Sequence, residues 1–326
     1  MRLLVTGGAG YIGSVVVEQA VAGGHDVVVI DNLQEGHRAA VSEHAAFVLG
    51  NYGDRLLLDR VFAEQPFDAV LHLAAETTVA TSVSDPAIYF ENNTVNGLHL
   101  LEAMRQHGVN RLVFSSTAAT YGEPVAVPMT EEHQQVPINA YGESKLMFER
   151  CLRWYHRAYG IKAITFRYFN AAGATVEHGE AHRHESHLIP LAFEAAARER
   201  EAPDVFGSDY DTRDGTCVRD FVHVADIAAA HLLALSAVDS LGLAWFNIGS
   251  GVGYTVAEVV DTVSAVTGTK VPTRALPRRP GDPATLVASS DEIRRVLHWT
   301  PQYTTLTSIV ESAWAWKRKA PRGYED

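Results

Sequence analysis

Cysteine is nearly absent: Cys151 and Cys217 are the only two in 326 residues. Two thiols build neither a disulfide framework nor a zinc site by themselves, and they fit a reducing, cytoplasmic setting. Basic residues are the minority, 27 Lys and Arg against 39 Asp and Glu, for a formal net charge of −12. That balance argues against nucleic acid as a main partner. An anionic small molecule stays open, because a few converging Arg or Lys side chains set the local field. No run of 18 or more apolar residues occurs, so no membrane span is expected. The opening Arg2-Leu3-Leu4-Val5 meets a glycine turn at once and is too short for a signal-peptide core. Internal repeats and low-complexity tracts are missing as well. What is present is core-forming material: 47% apolar and 20% charged residues, in a length that corresponds to about two domains.

Apolar runs alternate with helical stretches through the first half. Strands are expected at residues 2–6, 27–30, 46–49, 69–73, 111–115 and 163–167, with helices at 14–22, 56–62, 93–107 and 141–159. Strands apolar on both faces, interleaved with helices, predict an α/β fold: a doubly wound parallel sheet of Rossmann type. Ligands in such sheets bind beyond the carboxyl ends of the strands. After Asn170 the rhythm loosens. We expect a discontinuous arrangement, with 1–172 and 222–250 forming the dinucleotide domain and 173–221 and 251–326 a smaller α/β substrate domain.

At the end of the first strand lies Gly7-Gly8-Ala9-Gly10-Tyr11-Ile12-Gly13. Glycines there permit a tight turn and close approach of a pyrophosphate, and the helix that follows offers free N–H groups to phosphate oxygens. Asp31 ends the second strand, where a carboxylate accepts from both adenosine ribose hydroxyls and repels a 2′-phosphate, favouring NAD over NADP. Tyr141 and Lys145 are spaced i, i+4 and share a helix face. An ordinary amphipathic helix has such pairs too. Here the fifth strand ends in Ser115-Ser116-Thr117, which supplies a hydroxyl for a substrate oxygen. A tyrosine of ordinary pKa about 10 becomes a useful base only if its phenolate is stabilised by about 4 kcal/mol.

These stretches resemble the extended short-chain dehydrogenase/reductases and, within them, the UDP-glucose (UDP-galactose) 4-epimerases. The matches are VTGGAGYIG, DNL, HLAA, ENN, FSSTAATYGEP, YGESK, RYFNAAG, HLIP, FGSDYDTRDGTCVRDFVHVAD, FNIGSG, RRPGD and PRGY, spread over the whole chain. The resemblance implies transient oxidation at C4 of a UDP-hexose by a tightly held NAD, turning of the 4-keto sugar, and reduction from the other face. It gives Tyr141 the C4 hydroxyl proton, Thr117 a hydrogen bond to the same oxygen, and Lys145 the nicotinamide ribose. Around the cofactor it places Gly7, Gly10, Tyr11, Ile12, Gly13, Asp31 and Asn32. Tyr52, Leu73, Ala74, Ala75, Asn92, Ser115 and Tyr168 complete that set. Asn51 and Thr77 stand where relatives often carry Asp and Lys. For the nucleotide sugar the resemblance implies Asn170, His187, Leu188 and Phe206, with Asp282 on the uridine ribose. Arg219 and Arg279 are expected to hold the diphosphate, because a guanidinium fork matches phosphate oxygens.

Ala118 and Ala119 follow Thr117, where related dehydratases carry an Asp-Glu pair. A methyl group transfers no proton, which disfavours dehydration. Leu286 sits near a position where bulk decides whether an N-acetylated sugar fits, so a 4-epimerase of another UDP-sugar is a second reading. A non-catalytic dinucleotide-binding protein is a third. His178, His182, His184 and His187 cluster with Glu177, Glu180 and Glu185 at irregular spacing and without cysteine. We expect a surface loop there and no metal. The helices near 93–107 and 144–159, with Phe148, Leu152, Tyr155 and Tyr159 at helical spacing, match those that pair in homodimers of the family. The basic end around Trp314, Trp316 and Lys317-Arg318-Lys319 is expected to be a docked C-terminal helix.

Overall fold

Alternating residues of the first strands fill two separate cores. Leu3, Val5, Val27, Val29, Ala69, Leu71 and Val113 point to one face, and Leu4, Val28, Ile30, Val70, Leu112 and Phe114 to the other. Both sets are fully or nearly fully buried, which is why these strands read as continuous apolar runs. The computed structural model describes residues 1–64, 66–279 and 282–325. Pro280 and Gly281 of the RRPGD stretch lie outside the described residues.

Seven strands form one parallel sheet. They are β1 (Arg2–Thr6), β2 (Asp26–Asp31), β3 (Ala46–Leu49), β4 (Ala69–His72), β5 (Arg111–Thr117), β6 (Lys162–Tyr168) and, later in the chain, β10 (Leu243–Ile248). Their order is β10-β6-β5-β4-β1-β2-β3, and every neighbouring pair is parallel. The expected fold class is the observed one. The direction of winding reverses between β1 and β4, so a crevice opens there at the carboxyl ends. Helix α1 (Tyr11–Ala22) covers one face, and α2 (Arg55–Glu64) the other.

The helix expected at 93–107 has a different form. Short α3 (Val79–Ser84) and α4 (Pro86–Tyr89) run into a wide π turn over Phe90–Val95, and only then does α5 (Asn96–Gln106) begin. The wide turn carries Asn93, whose amide donates to the Glu76 carbonyl at 3.0 Å and to Ser144 Oγ at 3.0 Å. Such turns are concentrated at functional sites. Helix α6 (Ala140–Tyr159) starts with the Asn139 side chain accepting from Gly142 N at 2.8 Å, and it ends at left-handed Gly160. Phe148 and Leu152 are buried in the protein's own core, so of the four residues at helical spacing only Tyr155 and Tyr159 reach the surface.

The rest of the chain adds short strands that its sequence did not announce. Strands β7 (Asn170–Ala172), β9 (Val218–His223), β11 (Gly253–Thr255) and β13 (Thr285–Leu286) form a second sheet, and β8 (Asp204–Phe206) pairs with β12 (Arg274–Leu276). A third core joins Phe193, Phe221, Val259, Val263, Ile309 and Val310. It lies among α7 (Leu188–Ala196), α9 (Val256–Thr267) and α11 (Leu306–Lys319). The last of these is the docked C-terminal helix, with Trp316 buried and three basic residues in its final turn. Helix α8 (Val224–Leu241) is the one described helix long and apolar enough, by length and composition, to cross a membrane. Half of it is buried inside the protein, where it packs on α1 and the sheet. Helix α10 (Asp291–Leu297) sits against α8 and β10.

The stretch RDFVHVAD fastens these parts together. Asp220 is fully buried and accepts from Ser250 N, Ser250 Oγ, Gly251 N and Ala288 N. Asp226 accepts from Gln302 N and Tyr303 N. His223 caps α8 by accepting from Ala225 N, and its ring lies on Tyr303 at 3.6 Å. Burial pushes His223 and His231 down to about 4 from an ordinary 6.5. The unfolded chain therefore takes up these protons as pH falls through 6.5, and the folded chain only near 4. Stability contributed by the neutral rings is present above pH 6.5 and lost between 6.5 and 4, on the order of 3 kcal/mol per group. We expect urea-unfolding stability to fall over that window less steeply in His231→Gln than in the wild-type chain. The comparison isolates the histidine from Asp220 and Asp226, whose burial-raised carboxyls act in the opposite sense. Equal slopes would contradict the assignment.

Candidate functional site

At the crevice, β1 runs straight into the glycine turn. Gly7 has φ +75°, and a Cβ there would lie 2.5 Å from Ala74 N; at Gly13 it would lie 2.0 Å from the Gly7 carbonyl. Any side chain at either position would push the turn off β4 or off α1. Helix α1 begins at Gly10 without a capping side chain, which leaves its first-turn N–H groups at Tyr11, Ile12 and Gly13 directed outward. Asp31 accepts from Ala9 N at 3.0 Å and Leu33 N at 2.8 Å, so one carboxylate ties the second strand to the turn. Burial raises its pKa above the ordinary value. A side-chain-free cradle, an uncapped helix start and an adjacent acid fit the diphosphate and ribose of NAD.

The proposed catalytic side chains lie at the carboxyl end of β5 and on the first turns of α6, two strands across the sheet from β1. A Cβ on Gly142 would lie 2.3 Å from the Ala119 carbonyl, so the glycine lets α6 approach the end of β5. That approach brings Tyr141 close enough to Thr117 for the threonine side chain to pull the phenol's pKa down. Thr117 Oγ1 also accepts from Ala119 N at 3.1 Å. Burial pushes the Tyr141 phenol up to about 12, against the pull of Thr117. Burial also brings Lys145 down to about 7, and Glu149 opposes that fall. Lys145 Nζ donates to the Ser115 carbonyl at 3.0 Å and lies over the Phe114 ring. In the chain by itself desolvation therefore outweighs the expected acidification of Tyr141.

Other expected cofactor residues are tied to one another. Ser115 Oγ lies 2.7 Å from Tyr168 OH, which lies 2.7 Å from His231 Nε2. Tyr52 donates to the Asn92 carbonyl, and its ring packs on His72. Asn51 accepts from Gly53 N at 2.7 Å. Asn32 accepts from Gln34 N at 3.0 Å. Leu73 N and Ala74 N both donate to the Thr6 carbonyl at 3.0 Å, and Ala75 follows them out of β4. Thr77 is exposed.

The expected nucleotide-sugar residues form a second group. Arg219 is paired with Asp282, Arg279 lies over the Phe206 ring at 4.1 Å, and Asn170 donates to the Asp220 carbonyl at 2.9 Å. The guanidinium expected on phosphate and the carboxylate expected on ribose thus hold each other. Leu286 packs against Ala118, Tyr121 and Met129, which places it next to the strand end that carries Thr117. His187 stands at the start of α7, with Nδ1 2.9 Å from both Glu180 and Glu185. His178, expected in a surface loop, is buried.

Over residues 3–249 the chain matches the NAD dependent epimerase/dehydratase family. It is 47% identical over 329 residues to the UDP-glucose 4-epimerase of Lacticaseibacillus casei, covering 100% of this chain and 99% of that protein. The chain belongs to this family. A crystal structure of a UDP-glucose 4-epimerase superposes with a TM-score of 0.96 at 46% identity, covering all of both chains. The enzyme from Bifidobacterium longum, crystallised with NAD+ and UDP, gives 0.96 at 35% identity over 99% of this chain and 100% of that one.

The residues that follow Thr117 bear on the chemistry. Ala118 and Ala119 bring no proton-transferring group. Three residues of the surroundings escaped sequence reasoning. Glu149 is buried, accepts from Ser116 Oγ at 2.6 Å, and pairs with Arg167 at 2.6 Å. Its signal was a lone acid on the apolar face of α6. Asn93 was visible only as part of a short motif. His231 looked like any polar residue in an apolar helix.

Proposed function

We propose that this chain interconverts UDP-glucose and UDP-galactose by oxidation, turnover and re-reduction at sugar C4. The observation that carries the reading is Thr117 at the end of β5 beside Tyr141, whose phenolate its side chain favours, with Lys145 one turn further along α6 and only methyl groups at Ala118 and Ala119. NAD, when bound, supplies a reversible two-electron acceptor. Tyr141 takes the C4 hydroxyl proton as the carbonyl forms and returns it on reduction. Thr117 holds the same oxygen, and Lys145 steadies the developing phenolate charge. Opening of the Arg219–Asp282 pair would release a guanidinium for the diphosphate and a carboxylate for the uridine ribose, with Arg279, Phe206, Asn170, His187 and Leu188 around them. We place the 1–172 and 222–250 segments with the cofactor and the remainder with the sugar nucleotide. Incubating purified protein with UDP-galactose and resolving the products tests the reading. UDP-glucose is the expected product. Turnover only with another UDP-sugar, or none at all, would contradict it.

Asp31 is the proposed discriminator between NAD and NADP. Asp31→Ala removes the ribose acceptor and the charge that repels a 2′-phosphate. We expect NAD affinity to fall by about tenfold or more and the preference over NADP to narrow, as read by fluorescence titration. An unchanged preference would contradict the role.

Homodimerisation in the cytoplasm is part of the same proposal. On α6, Trp154 is 67% and Tyr159 55% exposed, a surface that a second copy would cover. Equilibrium sedimentation at micromolar concentration showing only monomer would contradict it.

A further inference from the structure

Glu180, His182, Glu185 and His187 are unevenly spaced in sequence, and the loop before α7 folds them around one point. One ligand atom from each lies within 4.8 Å of the others. His182 Nδ1 is 3.5 Å from Glu180 Oε1 and 3.4 Å from Glu185 Oε2. Metal–ligand bonds of about 2.0–2.2 Å give a tetrahedron with edges of roughly 3.3–3.6 Å, so these separations already match. His187 Nδ1 lies closer, 2.9 Å from Glu180 Oε1 and 2.9 Å from Glu185 Oε1. A small outward shift of that ring would bring these two separations into the same range. The two imidazoles face each other with centroids 4.8 Å apart.

From this geometry we propose a divalent transition-metal site of zinc type formed by Glu180, His182, Glu185 and His187. Two carboxylates balance a double positive charge. Two imidazoles select a zinc-type ion over magnesium or calcium, which prefer all-oxygen sites. Both carboxylates are largely withdrawn from water, with side chains 10% and 12% exposed. The surroundings hold the ligands in place, as outer contacts of metal sites do. Glu185 Oε1 accepts from Ser186 N at 2.8 Å and His187 N at 2.7 Å. The Ala181 carbonyl meets His37 Nε2 at 2.8 Å, and the Gly179 carbonyl accepts from Tyr324 OH at 3.2 Å. A cavity of about 260 Å³, lined by Glu180, His182 and Glu185 together with Ile189, Phe193 and Trp316, gives an ion a way in. The ion would fasten the loop that leads into α7. It takes no part in the C4 chemistry, and His187 is shared with the residues proposed around the nucleotide sugar.

The test uses the full chain after chelator treatment and dialysis. Equilibrium dialysis against Zn²⁺ should give one tightly bound ion per chain, and Co²⁺ should give the intense visible absorption of a tetrahedral site. His182→Ala and Glu185→Gln should each weaken binding by tenfold or more while circular dichroism shows a folded chain. No tight binding to the wild-type chain, or the same affinity in both folded variants, would overturn the proposal. Should a variant fail to fold, X-ray absorption on the Zn²⁺-loaded wild-type chain decides. Two imidazole nitrogens with oxygen neighbours near 2.0–2.1 Å are expected, and a shell of water oxygens or one containing sulfur would overturn it.

Discussion

Tyr141→Phe is expected to keep both NAD and the nucleotide sugar bound and to lower kcat by roughly 10²–10⁴-fold, the usual worth of a positioned acid–base group. Phenylalanine preserves the ring that fills the space beside Tyr89 and removes only the proton carrier. The size of the effect follows from electrostatics. A phenol pushed up to about 12 is ionised in roughly one molecule in 10⁵ at pH 7, so the chain by itself holds a poor base. Binding must lower that pKa by several units, at 1.36 kcal/mol each, and Lys145 is the nearby cation able to help. At about 7, Lys145 sits where a modest negative charge on Tyr141 is enough to keep it protonated. Measuring kcat and KM separately, with cofactor retention checked by absorbance, distinguishes lost chemistry from lost binding. Near-normal kcat in the variant would contradict the role assigned to Tyr141.

Glu149→Gln is expected to lower the free energy of unfolding by about 3–5 kcal/mol, because it strands a buried guanidinium. Arg167 is fully buried, and its Nε and Nη2 donate to Glu149 at 3.1 and 2.6 Å. The further contact of Arg167 Nη1 with Tyr121 OH at 2.9 Å does not replace a counter-charge. Replacing both partners, Glu149→Leu with Arg167→Met, should recover most of the loss, since no charge then lies unpaired. The single variant has a second consequence. Glu149 holds Lys145 up against burial, so its neutralisation should shift the Lys145 ammonium further toward the neutral amine and reduce turnover. Urea unfolding of the single and double variants checks the first point. A single-variant loss below about 1 kcal/mol would show that the ion pair is not the strut described.

What could be read from the residues is what depends on neighbours in the chain. The apolar runs reported the sheet because both faces are covered. The glycine turn reported a phosphate cradle because backbone geometry demands it locally, and Tyr141 with Lys145 reported one face because a helix repeats every 3.6 residues. Contacts across long intervals stayed hidden. Arg219 meets Asp282 across 63 positions, and Tyr168 meets His231 across the same interval. Neither partner carries a local signature. The wide turn over Phe90–Val95 overlaps the start of the helix expected at 93–107, and the contact of its Asn93 with Ser144 spans 51 positions that no local pattern reports. Strands of two or three residues in the second half are too short for a period-2 pattern. The Glu–His loop has no period to read. In an irregular loop the spacing along the chain does not fix how close the side chains of Glu180, His182, Glu185 and His187 come.

The central claim is that the hydrogen at C4 of the sugar leaves and returns within one protein molecule while Tyr141 carries the hydroxyl proton. UDP-galactose deuterated at C4, incubated with the purified chain in ordinary water until equilibrium, tests it directly by mass spectrometry and proton NMR of the products. The account predicts UDP-glucose with the deuterium still at C4 and no label released to solvent. Loss of deuterium to water during epimerisation would contradict it.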